Sequence, residues 1–200
     1  MNRWLITSLV TLLSAYTYYC TKKRKIKKTT RKEDNTVDLW NTVMFFPDHF
    51  HTKPDSTTSQ LIWYMDQATK TLDICMFAIQ FRMIENKLVE IAKRGVAIRI
   101  ISNYNCRIRR TPGITKRHKI HTVYSEFGCI ADTMHHKFVI IDDFAIMTGS
   151  LNWTFASVTE NRENVMVSTN PKFKQKFSLT FERLWTECGG PKELPWSCGG

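Results

Sequence analysis

The sequence predicts an α/β domain, a mixed β-sheet sandwiched by helices. Three observations lead there. The runs Leu72–Ala78 and Val96–Ser102 read as strands, and between them Ile84, Leu88, Ile91 and Ala92 recur at helical spacing; that order gives a right-handed βαβ unit with parallel strands. Phe138–Ile141 and Phe144–Met147 are short apolar runs that meet at Asp142-Asp143, as the arms of a hairpin would. A final amphipathic helix begins at Pro171, a favoured first helical position, behind Asn170 as cap.

Taken in order, the chain starts with an uncharged stretch, Trp4–Thr21, whose eighteen residues span roughly 27 Å as a helix, near the thickness of a bilayer core. Trp4, Tyr16, Tyr18 and Tyr19 sit where interfacial aromatics belong, and KKRKIKK follows at once. A cleaved signal peptide is the rival reading, but the cleavage pattern is poor and a cationic block just past the apolar stretch keeps that side in the cytosol. Asn152-Trp153-Thr154 is a glycosylation acceptor that would be at risk on the lumenal side. The expected organisation is a membrane anchor over 1–21, a basic linker over 22–37, a catalytic domain over 38–188 and a flexible tail over 189–200.

Regular patterning begins near Val43. Thr57 with Gln60 resembles a capping box ahead of Leu61, Met65 and Ala68 at helical spacing. Gly95 closes the second helix, Val165–Val167 forms one more strand, and Phe173, Phe177, Phe181, Leu184 and Trp185 make an apolar stripe on the last helix.

The net charge of +11 is unevenly spread: residues 1–32 hold nine Lys/Arg and no acid, so the body carries only +2. Within it, residues 91–125 hold nine Lys/Arg and no Asp or Glu, including Arg107, Arg109, Arg110, Lys116, Arg117 and Lys119. That asymmetry marks a candidate substrate-binding surface for a polyanion, against the plainer reading of a solvated cationic loop. The six cysteines are scattered without C-x-x-C, so disulfides are not implied, and His49 with His51 makes no zinc signature.

The chemistry concentrates in Met134–Thr154 and Glu163. On a strand, His135 and Lys137 are two apart and share a face, with Val139 and Ile141 continuing that row inward. Asp142 ends the strand, where its carboxylate can fix loop geometry. Ser150 and Asn152 are again two apart, and Gly149 permits close backbone approach. Cleaving a phosphodiester takes a nucleophile, donors for the anionic oxygens and an acid for the departing one. His135 can attack phosphorus, Lys137 and Asn152 can hold the oxygens, and Glu163 can fix the imidazole tautomer. No metal or cofactor is required. The acid is missing. On a strand, His136, the alternative nucleophile, faces away and is assigned to packing or hydrogen bonding.

The pattern H-x-K-x4-D-x6-G-S-x-N, present as His135, Lys137, Asp142, Gly149, Ser150 and Asn152, resembles the HKD motif of the phospholipase D superfamily, with Glu163 where that family often has its glutamate. Members build each active site from two such motifs, one histidine attacking and the other protonating the leaving group. This chain has one. The resemblance therefore implies a homodimer joining two His135 across a two-fold axis, and a phosphohistidine intermediate. MHHKF, TGSLNWT, NREN, MFFP and the anchor are similar to the Zucchini, or mitochondrial cardiolipin hydrolase, branch. That branch faces the cytosol from the mitochondrial outer membrane, and is linked to single-stranded RNA cleavage in piRNA biogenesis and to cardiolipin hydrolysis. Its usual zinc-binding insertion has cysteines; residues 47–59 have none, so zinc is not carried over.

Both RNA and phospholipids contain the bond this constellation reads. The basic stretch favours single-stranded RNA; the tether and its juxtamembrane cations favour anionic phospholipid such as cardiolipin. A non-catalytic RNA- or lipid-binding scaffold is a third reading, against which the complete set His135, Lys137, Asn152 and Glu163 speaks.

Overall fold

The computed structural model of the protein describes residues 40–103, 119–125 and 133–192. The expected anchor, the basic linker and the tail beyond residue 192 lie outside the described residues, as do Arg107, Arg109, Arg110, Lys116 and Arg117.

Seven strands form one sheet: β1 (Thr42–Phe46), β2 (Thr71–Met76), β3 (Ala97–Asn103), β4 (Ile120–Ser125), β5 (Lys137–Ile141), β6 (Ala145–Gly149) and β7 (Glu163–Ser168). Their order is β1-β7-β6-β5-β2-β3-β4. β2, β3 and β4 run parallel, and every other neighbouring pair is antiparallel, so the sheet is mixed as predicted. β4 was not foreseen, because its residues were read as part of the basic stretch.

Helices α1 (Thr57–Asp66), α2 (Arg82–Lys93), α3 (Phe155–Thr159) and α4 (Pro171–Glu187) complete the described elements. α1 starts one residue earlier than the proposed capping box: Ser56 is the cap, its Oγ accepting from the Ser59 N–H at 3.1 Å. α2 ends before Gly95 at φ +95°, a conformation that favours glycine. Asn170 Oδ1 caps α4 through the N–H groups of Lys172 and Phe173.

The strict alternation of β5 divides the interior. Val139 and Ile141 enter one core with Leu61, Met65, Ile84 and Leu88 of α1 and α2. Phe138 and Ile140 enter a second with Phe181, Leu184 and Trp185 of α4. Each large apolar side chain taken from water there stabilises the fold by about 1.5–3 kcal/mol. The apolar stripe of α4 is shorter than predicted: Phe177 is half-buried and Phe173 is 46% exposed. α4 is also held by charge, since Arg99 of β3 bonds Asp73 of β2 at 2.7 Å and Glu182 of α4 at 2.6 Å while lying 4.7 Å over the Phe181 ring. Just past its end, the Gly190 N–H reaches the Trp185 carbonyl, and Trp185 Nε1 donates to the Pro191 carbonyl at 3.1 Å.

Candidate active site

The start of β5, the end of β6 and the start of β7 lie at one end of the sheet, where β2 and β3 also terminate. Four of the predicted catalytic residues, Lys137, Ser150, Asn152 and Glu163, come to that end with His135.

His135 is exposed, while Lys137 is 9% exposed with its stem in the core. Lys137 Nζ lies 2.9 Å from His135 Nδ1 and donates to the His135 carbonyl at 2.8 Å. Both groups rest on Phe77: its ring is 4.7 Å from the imidazole and 5.1 Å from the ammonium. An ammonium only donates, so the neutral ring here accepts at Nδ1 and carries its proton on Nε2. This is a resting arrangement. Attack through Nε2 would require Lys137 to leave Nδ1, the ring proton to move there from Nε2, and an acceptor to hold it.

Glu163 was expected to fill that second role, and it does not touch the ring: its Oε1 accepts from Asn161 Nδ2 at 3.3 Å. Its position nonetheless suits the task. Strand register sets Glu163 level with His135 and two strand spacings away, roughly 10 Å between backbones, within the combined reach of the two side chains.

Ser150 serves the backbone. Its N–H donates to the Asn164 carbonyl at 3.0 Å and its Oγ accepts from the Asn164 N–H at 3.1 Å. Gly149 beside it has no alternative, because a Cβ there would overlap the Asn164 carbonyl. Asn152 is half-buried, and its Oδ1 is buried with no hydrogen-bond partner. An orphaned acceptor is a costly state that a rigid scaffold must maintain.

That scaffold is a short rail the sequence reading missed, Phe77–Gln80. The Phe77 N–H donates to the His136 carbonyl at 3.1 Å, the Trp153 N–H donates to the Ala78 carbonyl at 3.0 Å, and the Gln80 N–H donates to the Trp153 carbonyl at 2.7 Å. The histidine and asparagine segments, seventeen residues apart, thus hang on adjacent positions of one backbone. The only sequence sign was that the strand Leu72–Ala78 runs on into aromatics, Phe77 and Phe81.

Two predicted site residues lie elsewhere. Asp142 ends β5 about 20 Å from His135, at a rise of ~3.3 Å per residue. Its carboxylate takes the N–H groups of Thr69, Lys70 and Thr71 and the Thr69 hydroxyl, all at 2.7–2.8 Å. Burial works to raise this carboxyl, but those four donors outweigh it and hold it below the ordinary carboxylate range. It is a clamp, remote from His135. Lys119 starts β4 at that same far end, its carbonyl accepting from the Ile98 N–H, so it does not flank His135.

His136 turns to the other face as expected, its ring 5.8 Å from Phe138; burial and the charges of Lys137 and Arg183 push it below the usual imidazole value. The residues of 47–59 do not suit a zinc ion. Asp48 is occupied by the Phe50 and Thr58 N–H groups, and His51 is wedged between Phe81 and Phe155, each ring 5.7 Å away.

Residues 61–185 match the family described as cardiolipin synthase, PLD-like domain. A protein of Chlamydomonas reinhardtii named mitochondrial cardiolipin hydrolase is 37% identical over 65% of this chain and 58% of its own length. The Homo sapiens protein of the same name is 30% identical over 66% of this chain and 52% of its own. The chain thus spans little more than half the length of these relatives. Among solved structures, Nuc from Salmonella typhimurium, a phospholipase D family member, superposes with a TM-score of 0.61 over 73% of this chain and 93% of that one at 24% identity, a likeness of fold.

Proposed function

The chain belongs to the phospholipase D-like family, and from that premise we propose that it is a phosphodiesterase acting through a phosphohistidine on His135. The observation that carries this is the pairing of an exposed imidazole with a buried ammonium, His135 Nδ1 to Lys137 Nζ at 2.9 Å, at the open end of the sheet.

An arriving phosphodiester draws Lys137 from the ring to a non-bridging oxygen, because an anion is the stronger partner for an ammonium. Asn152 donates Nδ2 to the same phosphoryl group. The ring proton moves through solvent from Nε2 to the vacated Nδ1, where Glu163 accepts its hydrogen bond, and the lone pair is left on Nε2. Nε2 forms a bond to phosphorus as the bond to the leaving oxygen breaks, and a partner chain's His135 protonates that oxygen. The now neutral partner ring takes a proton from water, whose oxygen displaces the imidazole. The products are an alcohol and a phosphomonoester. The cycle uses two identical rings in a homodimer, which one chain with one motif requires, and it calls on no metal.

Two substrates remain in play, each with its own support. Single-stranded RNA is supported by the cations of residues 107–117. Cardiolipin is supported by the name of the relatives. Mitochondrial localisation is supported by the name of the same relatives; attachment to the outer membrane through residues 1–21 with the domain in the cytosol is supported by the uncharged stretch and its cationic flank.

The deciding assay sets the purified chain against single-stranded RNA and against cardiolipin vesicles in excess EDTA, with His135→Asn as blank. Cleavage of either above the blank supports the reading, and cleavage of one alone names the substrate. Failure on both, or activity that chelation removes, overturns it.

A further inference from the structure

The end of the sheet opposite His135 has a composition the catalytic reading does not use. Trp40 packs edge-on to Phe144 at 5.1 Å and lies 6.1 Å from Trp63 of α1. Trp63 is 42% exposed, Phe144 52% and Phe173 46%, all at this end. Phe50 at 63% and Phe155 at 55% are exposed at the opposite end as well, so the aromatics here offer an apolar contact while the charges single out the face.

The charges there are one-sided. The acids are all engaged: Asp142 by four donors, Asp143 by Lys174 at 2.9 Å, Asp66 by Arg94 at 2.6 Å. Lys70, Lys93, Lys119 and Lys172 are exposed and form none of the described ion pairs. Free cations beside exposed tryptophan and phenylalanine fit the headgroup layer of an anionic bilayer, where aromatic rings sit at the interface and ammonium groups meet lipid phosphates. In sequence, the uncharged stretch and its cationic flank precede Trp40.

We propose that this end is a bilayer-docking face, its aromatics seated among the headgroups of an anionic membrane and its free lysines on the lipid phosphates. It goes beyond the catalytic reading and shares with it only the anchor. His135 then opens away from the bilayer, about 20 Å above the docking end, and takes its substrate from the aqueous side.

The test is hydroxyl-radical footprinting of the full-length chain in nanodiscs, either neutral phosphatidylcholine or with about a third phosphatidylglycerol. Oxidation of Trp63, Phe144 and Phe173 should fall about threefold or more in the anionic discs, with Phe50 and Phe155 unchanged. A Lys70→Glu/Lys172→Glu variant should lose most of that protection. Equal oxidation in both discs, protection at Phe50 and Phe155 instead, or protection conferred by single-stranded RNA in place of anionic lipid would each overturn the proposal. Failure of the chain to co-purify with the discs sinks the anchor alone; the same footprint on added anionic vesicles then decides the face.

Discussion

At one end of β5 the Asp142 carboxylate receives four hydrogen bonds, three from the backbone of Thr69–Thr71 and one from the Thr69 hydroxyl, and at the other an exposed imidazole shares one ammonium with its own carbonyl while the neighbouring Asn152 oxygen has no protein donor. Both ends belong to one short sequence motif. The difference separates what the motif builds from what it does: a satisfied polar cluster fixes geometry and resists change, whereas an under-satisfied one keeps its groups available for a ligand.

The sharpest way to break this contrast is at His135. His135→Asn should lower turnover by about 10⁴-fold or more, while the melting temperature moves by less than about 2 °C because the ring is exposed. Retained activity would shift the nucleophile elsewhere, His136 first. Lys137→Met should cost about 10²- to 10³-fold in kcat with stability unchanged or raised, since a buried ammonium gives way to an apolar side chain. A marked loss of stability with kcat intact would make Lys137 structural and erase the distinction.

Gly149→Ala tests the join between the two roles. The added Cβ meets the Asn164 carbonyl rather than a movable side chain, so a loss of about 3 kcal/mol in urea unfolding is expected; a neutral result would mean β6 and β7 can separate there. At the far end, Asp142→Asn should cost about 2 kcal/mol yet leave kcat per folded molecule within about twofold. A large fall in kcat would return Asp142 to the chemistry.

The smallest effect is in acid. The Asp142 carboxyl is held below its ordinary value, so its contribution is complete at neutral pH, begins to fade as the pH drops below about 4 where the unfolded chain takes the proton first, and is lost below the folded value. The stability gap between wild type and Asp142→Asn should narrow in that range. A gap that widened toward acid would contradict the clamp.

Much of the fold was legible because its signals are local. The period-two rows of β2, β3 and β5, the Asn170-Pro171 start and Gly95 stop are each decided within a few residues. β4 was not, since Ile120–Ser125 lacks clean alternation and sits among cations. The pairing of His135 with Lys137 followed from strand parity. Its roles did not: that Nδ1 faces an ammonium rather than Glu163 depends on rotamers and on Phe77, a partner sixty residues away. The cationic stretch was legible only as a count, for a related reason. Sequence counts charges without pairing them, whereas Arg94 and Arg99 are taken by Asp66, Asp73 and Glu182.

β5 is a wall shared by two separately packed interiors, one behind its odd residues and one behind its even residues. A redesign that reshapes the α4 compartment therefore acts on the rear of the wall, while the front side, which holds the Lys137 stem, keeps its own fillings. The compartment behind α4 is the place to engineer robustness without detuning reactivity.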